Sequence, residues 1–263
     1  MLKIYQIDAF ASKVFTGNAA AVCPLDTWLD EELMLHIAAE NNLSETAFFV
    51  ENNGDYDIRW FTPTVEVDLC GHATLASAYV LFKELGFNGE TIVFQSKSGE
   101  LKVSQNGDKF ILDFPQKTPM SCDIPEPIQQ VFSDNLQSCL KHEDYIVVLT
   151  DESAVLSANP NMQLLQQLDL RGVTITARSK QYDFVSRFFA PSCGIDEDPV
   201  TGSSFTQLAP YWAKVLGKNK LTAKQVSQRG GEVWCELVDD RVYIAGHAVK
   251  YAEGFIEVES LLE

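Results

Sequence analysis

The sequence predicts an α+β protein of two similar lobes, each a mostly antiparallel sheet around a central helix, and three observations carry that expectation. Arg59-Trp60-Phe61-Thr62-Pro63 returns as Arg187-Phe188-Phe189-Ala190-Pro191, 128 positions on in a chain of 263 residues. The order of elements around each copy recurs too: helix, strand, turn, strand, Arg-aromatic-Phe-x-Pro, polar loop, glycine, helix. Between the copies, Pro115 to Pro127 holds four prolines and little periodicity. A duplicated unit with a junction there accounts for all three.

The elements follow in order. Ile4 to Phe10 alternates apolar and polar residues as a strand does. A Gly17-Asn18 turn and a short apolar run, Ala19 to Cys23, come next. Asp30 to Asn41 reads as a helix with acids in its first turn, where the helix dipole favours them. Thr46 to Val50 and Tyr56 to Ile58 flank Asn52-Asn53-Gly54-Asp55, a strong hairpin signal. Gly71 to Leu85 is an apolar helix stopped by Gly86. Strands are expected through Val93-Phe94, Leu101 to Val103 and Phe110 to Phe114.

The second half opens with an expected helix from Ile128 to Cys139 and a strand from Tyr145 to Leu149. An apolar-periodic stretch (Leu164, Leu165, Leu168) and two strands, Val173 to Thr176 and Asp183 to Val185, precede the second pentapeptide. Thr201 to Leu216 reads as a helix ending at Gly217. Gln228 to Val238 and Asp239 to Ala245 read as a closing hairpin. The expected lobes are 1–116, completed by a returning edge strand within 254–263, and 117–253.

Composition excludes several classes. An apolar content of 46% is ordinary for a well-buried globular core. No stretch approaches the ~20 apolar residues that span a bilayer, and the alternating start is no signal peptide. The net charge of −17 argues against nucleic-acid or anionic-membrane partners. The six cysteines stand far apart without C-x-x-C spacing, the pattern of reduced thiols in a cytoplasmic protein. The four histidines show no H-E-x-x-H spacing, and Gly-rich phosphate signatures are absent. The expectation is an enzyme without metal or cofactor.

Three segments could carry chemistry. In Asp68-Leu69-Cys70-Gly71-His72-Ala73-Thr74 the glycine turns the chain into a helix whose first N–H groups suit a carboxylate. His72 sits in that first turn, where the dipole disfavours its cation; taken alone, a Gly-His helix start is more often structural than catalytic. Asp196-Glu197-Asp198-Pro199-Val200-Thr201-Gly202-Ser203-Ser204 holds the matching place in the second half. Asp196 and Glu197 read as a solvated acidic loop, while Thr201-Gly202-Ser203 offers the clustered donors of an anion-binding turn. In Asn42-Leu43-Ser44-Glu45-Thr46-Ala47 the 128-residue offset sets Glu45 opposite Val173, so only one copy has a carboxylate. Glu45 can take up a proton and return it, or be an exposed helix-end acid.

At these residues the chain resembles the phenazine-biosynthesis isomerase (PhzF-like) family of the diaminopimelate epimerase superfamily. The matching pieces are Asp8-Ala9-Phe10 with Phe15-Thr16-Gly17-Asn18, Leu43 to Phe48, Arg59 to Pro63, Leu69 to Thr74, and Glu197 to Ser203. They run in family order over nearly the whole chain. The resemblance implies two pseudo-symmetric barrel-like lobes, a site in the cleft between them, and commonly a homodimer. It implies a coenzyme-free isomerase whose glutamate, here Glu45, moves a proton between carbons of a small unsaturated acid. His72 and Asp198 are the family's other catalytic positions, with Gly71, Gly202, Ser203, Thr201 and Asn18 on the small anionic substrate.

Two features qualify the resemblance. Cys70 stands where the superfamily's thiol racemases keep one of two catalytic cysteines, but Asp198-Pro199-Val200 occupies the place of the second, and Cys193 is a poor substitute. Cys70 therefore reads as a remnant. Near Gly231 the family's glycine–arginine pair is replaced by Gly230-Gly231-Glu232-Val233-Trp234. A thiol-dependent racemase or epimerase and a non-catalytic ligand-binding protein remain the alternative readings.

Overall fold

The computed structural model describes residues 1–258, so the expected tail strand within 254–263 is covered only to Val258 and residues 259–263 lie outside the described residues. The chain opens with β1 (Leu2–Ala9), β2 (Asn18–Leu25), α1 (Glu31–Asn41), β3 (Glu45–Asn52), β4 (Asp55–Phe61) and the short β5 (Glu66–Val67). Next come α2 (Gly71–Tyr79), a π-helical turn over Val80–Glu84, β6 (Thr91–Ser96), β7 (Gly99–Asn106) and β8 (Lys109–Pro115).

Local chemistry explains these boundaries. Asp30 caps α1 by accepting the Glu32 N–H at 2.9 Å, and Asn42 ends it in the left-handed conformation. The hairpin turns at Asn53 and Gly54, both at positive φ, as a two-residue primed turn requires. Every residue of α2 from Gly71 to Ala78 is buried, as expected of a helix apolar on all sides. Leu33, Met34, Ile37 and Ala38 of α1 pack with Cys23, Phe48 and Phe61 in a smaller cluster.

The chain continues with β9 (Met120–Ser121), α3 (Glu126–Phe132), β10 (Leu136–Lys141), β11 (Tyr145–Leu149), α4 (Glu152–Ser157) and α5 (Met162–Leu165). Then follow β12 (Val173–Arg178), β13 (Phe184–Ala190), β14 (Ile195–Asp198), a 3-10 turn over Gly202–Ser204 and α6 (Phe205–Leu216). Last are β15 (Lys220–Gln225), β16 (Gly231–Val238), β17 (Arg241–Gly246) and β18 (Ala248–Ile256).

These elements form two units, one of Met1–Asp113 with the segment from Ala245 onward, the other Phe114–Ile244. The divisions differ from the sequence boundaries at 116/117 and 253/254 because strands carry the chain across. The passage falls inside β8 and the return inside β17. The returning strand is also longer than expected, pairing with β1 from Ala248 to Ile256.

Within the first unit, β1 is antiparallel to β2, β2 parallel to β3, β3 antiparallel to β4, β4 parallel to β6, and β6 antiparallel to β7. Within the second, β10 to β11, β11 to β12, β12 to β13, β13 to β15 and β15 to β16 repeat that succession of antiparallel and parallel pairs. The second unit's core gathers Ile128, Val147, Val155, Ile175, Val185 and Phe189. The α+β class of two like lobes is the observed one.

The pentapeptide repeat now has a physical meaning. Arg59 donates from Nε and Nη2 to both carboxylate oxygens of Glu66, each at 2.8 Å, and Arg187 does the same to Glu197 at 2.7 and 2.9 Å. Each guanidinium also lies over the ring two residues on, Phe61 at 5.2 Å and Phe189 at 5.0 Å. Glu197 is therefore a paired acid rather than part of a solvated loop.

The expected helix from Ile128 to Cys139 stops at Phe132. Ser133, Asp134 and Asn135 hydrogen-bond locally and favour turns over helix, and Leu136–Lys141 pairs as a strand with β11. The strand expected from Gln228 begins at Gly231, after a turn. Among the described residues no helix is long and apolar enough to cross a membrane.

Candidate functional site

Three chain segments of the first unit converge at their N-terminal ends. Asn18 opens β2, Glu45 opens the parallel neighbour β3, in register with Ala20, and Gly71 opens α2. Asn18 is delivered by Gly17, at φ +67°, where an added Cβ would stand 2.1 Å from the Ala9 carbonyl oxygen. Only glycine fits that turn.

At this meeting point Glu45 Oε2 lies 3.0 Å from His72 Nε2, and the two side chains are 13% and 6% exposed. The two groups form a close, largely buried acid–imidazole pair. Behind His72, the Asn18 amide nitrogen is 3.3 Å from Nδ1, and Ser44 Oγ donates to Asn18 Oδ1 at 3.2 Å. Asn18 is fully buried and engaged with His72 and Ser44, so here it supports the histidine. Cys70 Sγ lies 3.5 Å from Nδ1 of the same ring. Thr74 ties the helix start together, its hydroxyl donating to the Cys70 carbonyl at 2.6 Å.

The charges in this cluster oppose one another. Burial lifts the Cys70 thiol to about 11, with the Glu45 carboxylate adding to the rise and His72 opposing it. For His72, burial pulls downward, but negative charge on Cys70 and on Glu45 raises its pKa well above the ordinary value. Because Cys70 is a thiol at neutral pH, the upward pull there is that of Glu45. The neighbouring acid thus reverses the direction expected from the helix dipole alone.

The second unit assembles its own set. Asp198 ends β14 and accepts a short hydrogen bond from the Thr201 hydroxyl. Gln225, fully buried on β15, accepts the Thr201 N–H at 2.9 Å and donates to the Asp198 carbonyl at 2.8 Å. Ser227 Oγ donates to the Pro199 carbonyl at 2.6 Å, which pins the same loop. Gly202 and Ser203 form the 3-10 turn that leads into α6, and Ser203 Oγ accepts from Arg171 Nη2 at 3.1 Å. Arg171 is in turn gripped by the buried Asp144 at 2.9 and 2.7 Å.

So Glu45, His72, Asn18 and Gly71 meet within the first unit, and Asp198, Thr201, Gly202 and Ser203 within the second. Ser44, Gln225 and Arg171 support them and were missed. Ser44 sits beside the singled-out Glu45 and was within reach of the sequence reading. Gln225 and Arg171 carry no local signal, because their partners lie 24 or more positions away. Glu45, Cys70 and His72 also offer one ligand atom each within 4.8 Å of one another, a donor set that zinc accepts. Histidine spacing alone could not disclose it.

Residues 7–254 match the family model described as phenazine biosynthesis-like protein. An uncharacterized isomerase of Pseudomonas aeruginosa is 50% identical over 98% of this chain and 99% of its own length. The crystal structure of a phenazine biosynthesis protein of the PhzF family from Enterococcus faecalis is 45% identical, with a TM-score of 0.94 over 96% of this chain and 98% of that one. A Pseudomonas aeruginosa protein described as a predicted epimerase shares the fold at a TM-score of 0.75 and 20% identity, covering 97% of this chain and 99% of that one.

Proposed function

The chain belongs to the phenazine biosynthesis-like family, and we propose that it is an isomerase moving a proton between two carbons of a small unsaturated carboxylic acid, with Glu45 as the carrier. The supporting observation is the Glu45–His72 contact: a nearly buried carboxylate oxygen 3.0 Å from an imidazole. A carboxylate held in this way can take a proton from carbon. The proton leaves one carbon, rides on the carboxyl group and returns to another, so substrate and product differ only in its position.

In this reading His72 holds the acceptor oxygen in place and, when protonated, opposes charge building on the substrate. Gly71 offers its N–H group at the start of α2 for the substrate carboxylate. Asp198 orients Thr201. The protein acts as a homodimer and uses its own side chains for the whole transfer. Incubation of candidate unsaturated mono- and dicarboxylic acids in heavy water tests the proposal. Deuterium should enter the substrate carbon skeleton with wild-type protein and fail to do so with Glu45→Gln; uptake that ignores the substitution overturns it.

The Cys70–His72 contact favours one second reading, a thiol-dependent racemase. Against it stand the raised Cys70 pKa and the position of Cys193, which is exposed with its thiol directed at the Arg171 carbonyl. Cys70→Ser separates the two readings: the glutamate isomerase keeps its turnover and the thiol racemase loses it.

A further inference from the structure

Sequence spacing keeps all six cysteines apart, yet the second unit brings two of them together. Leu140 pairs with Ser121 across the β9–β10 ladder, which places Cys139 opposite Cys122 one step further on. The Cys122 N–H donates to the Cys139 carbonyl at 3.2 Å, and the sulfur atoms are 3.7 Å apart. Both thiols lie in one unit and against one core cluster, so no large movement is needed to bring them into contact.

The two thiols differ in access. Cys139 is buried, whereas Cys122 is half-exposed and lines an open depression with Ser121, Asp123 and Lys141. Among the described residues the remaining cysteines offer no such arrangement: Cys23, Cys70 and Cys235 are buried and Cys193 is exposed. A small oxidant therefore meets Cys122 with a second thiol already in reach, and meets Cys193 without one.

We propose that Cys122 and Cys139 are a site of reversible oxidation, closing to a disulfide under hydroperoxide stress. The Cys122 thiolate attacks the peroxide O–O bond, forming a sulfenic acid and expelling hydroxide, which takes up a proton to become water. The Cys139 thiolate then attacks that sulfur and expels hydroxide, which takes up a proton. Two thiols and one peroxide become one disulfide and two waters. Burial pushes the Cys139 thiol up to about 12, so closure quickens as pH rises, because the thiolate is the nucleophile. The bridge clamps the two-residue strand β9 to β10 and closes the loop that contains α3.

Both cysteines fall in the single tryptic peptide Thr118–Lys141. After hydrogen peroxide treatment of the folded protein, denaturation and alkylation, that peptide should be two hydrogens lighter and carry no alkyl groups. Reduction before alkylation should restore two alkyl groups. The bridge should raise Tm by roughly 5 °C, reversibly with reductant, as expected for a loop of this size. Cys122→Ser should abolish both the mass change and the Tm rise, while Cys193→Ser should leave both intact. A peptide that stays doubly alkylated, or that gains oxygen at Cys122 without losing two hydrogens, overturns the proposal. These readouts involve no substrate, so they stand apart from the isomerase reading.

Discussion

Glu45 Oε2 and His72 Nε2 lie 3.0 Å apart, both side chains largely buried, joined although 27 positions separate them in the chain. One residue opens a strand and the other sits in the first turn of the central helix.

Glu45→Gln keeps the shape of the side chain and removes its ability to carry a proton. Turnover should fall by about 10²–10⁴-fold, the range general acid–base catalysis supplies. Thermal unfolding and circular dichroism should remain those of the wild type. A fully active variant would remove Glu45 from the mechanism.

His72 makes stability depend on pH in a predictable sense. Its folded pKa is raised above the ordinary 6.5, with Glu45 as the favourable partner at neutral pH. The folded state therefore holds the proton more tightly than the unfolded chain. The contribution is fully present below about 6.5 and is lost as pH rises through the folded value. The Tm difference between wild type and His72→Gln should shrink across that upper window. Parallel Tm profiles for the two proteins, or a His72 proton lost below pH 6.5 by NMR, would contradict this.

Glu66 runs the other way. The Arg59 hydrogen bonds lower its pKa to about 2 against a smaller burial penalty, and Lys97 adds to the effect. The stabilisation is present above about 4.5 and disappears as pH falls toward 2. Glu66→Gln should cost about 2 kcal/mol at pH 7, lowering Tm by roughly 4–8 °C, with little difference from wild type near pH 2. An equal deficit at both pH values would show that packing rather than charge is lost.

Metal dependence separates two uses of the same side chains. Isomerase turnover should survive exhaustive treatment with a chelator. Added zinc should inhibit by taking the Glu45, Cys70 and His72 donors, and chelator should reverse this. Cys70→Ser should weaken the inhibition. Loss of turnover on chelation alone would instead make a metal part of the reaction.

Much of the fold was legible because its signals are local. The Asn53-Gly54 turn, the Gly86 stop after the apolar helix and the acids that open α1 each act within a few residues. The failure at Ile128–Cys139 is local too: Ser133-Asp134-Asn135 turn the chain, and from Leu136 onward it pairs with β11 instead of coiling. Glu197 was misread because an acid in an acidic run looks solvated until its arginine, ten positions earlier on a paired strand, is placed beside it.

From the residues alone came the twofold recurrence of elements, the all-round apolar helix opening at Gly71, and the one-sided carboxylate at Glu45. Tertiary structure alone decided that Glu45 meets His72, that Ser44 steadies Asn18 behind it, that Gln225 organises Thr201, and that Cys122 faces Cys139. Periodicity reports which face of an element is buried. It does not report strand register or the crossovers between parallel strands, and those settle which buried atoms end up in contact.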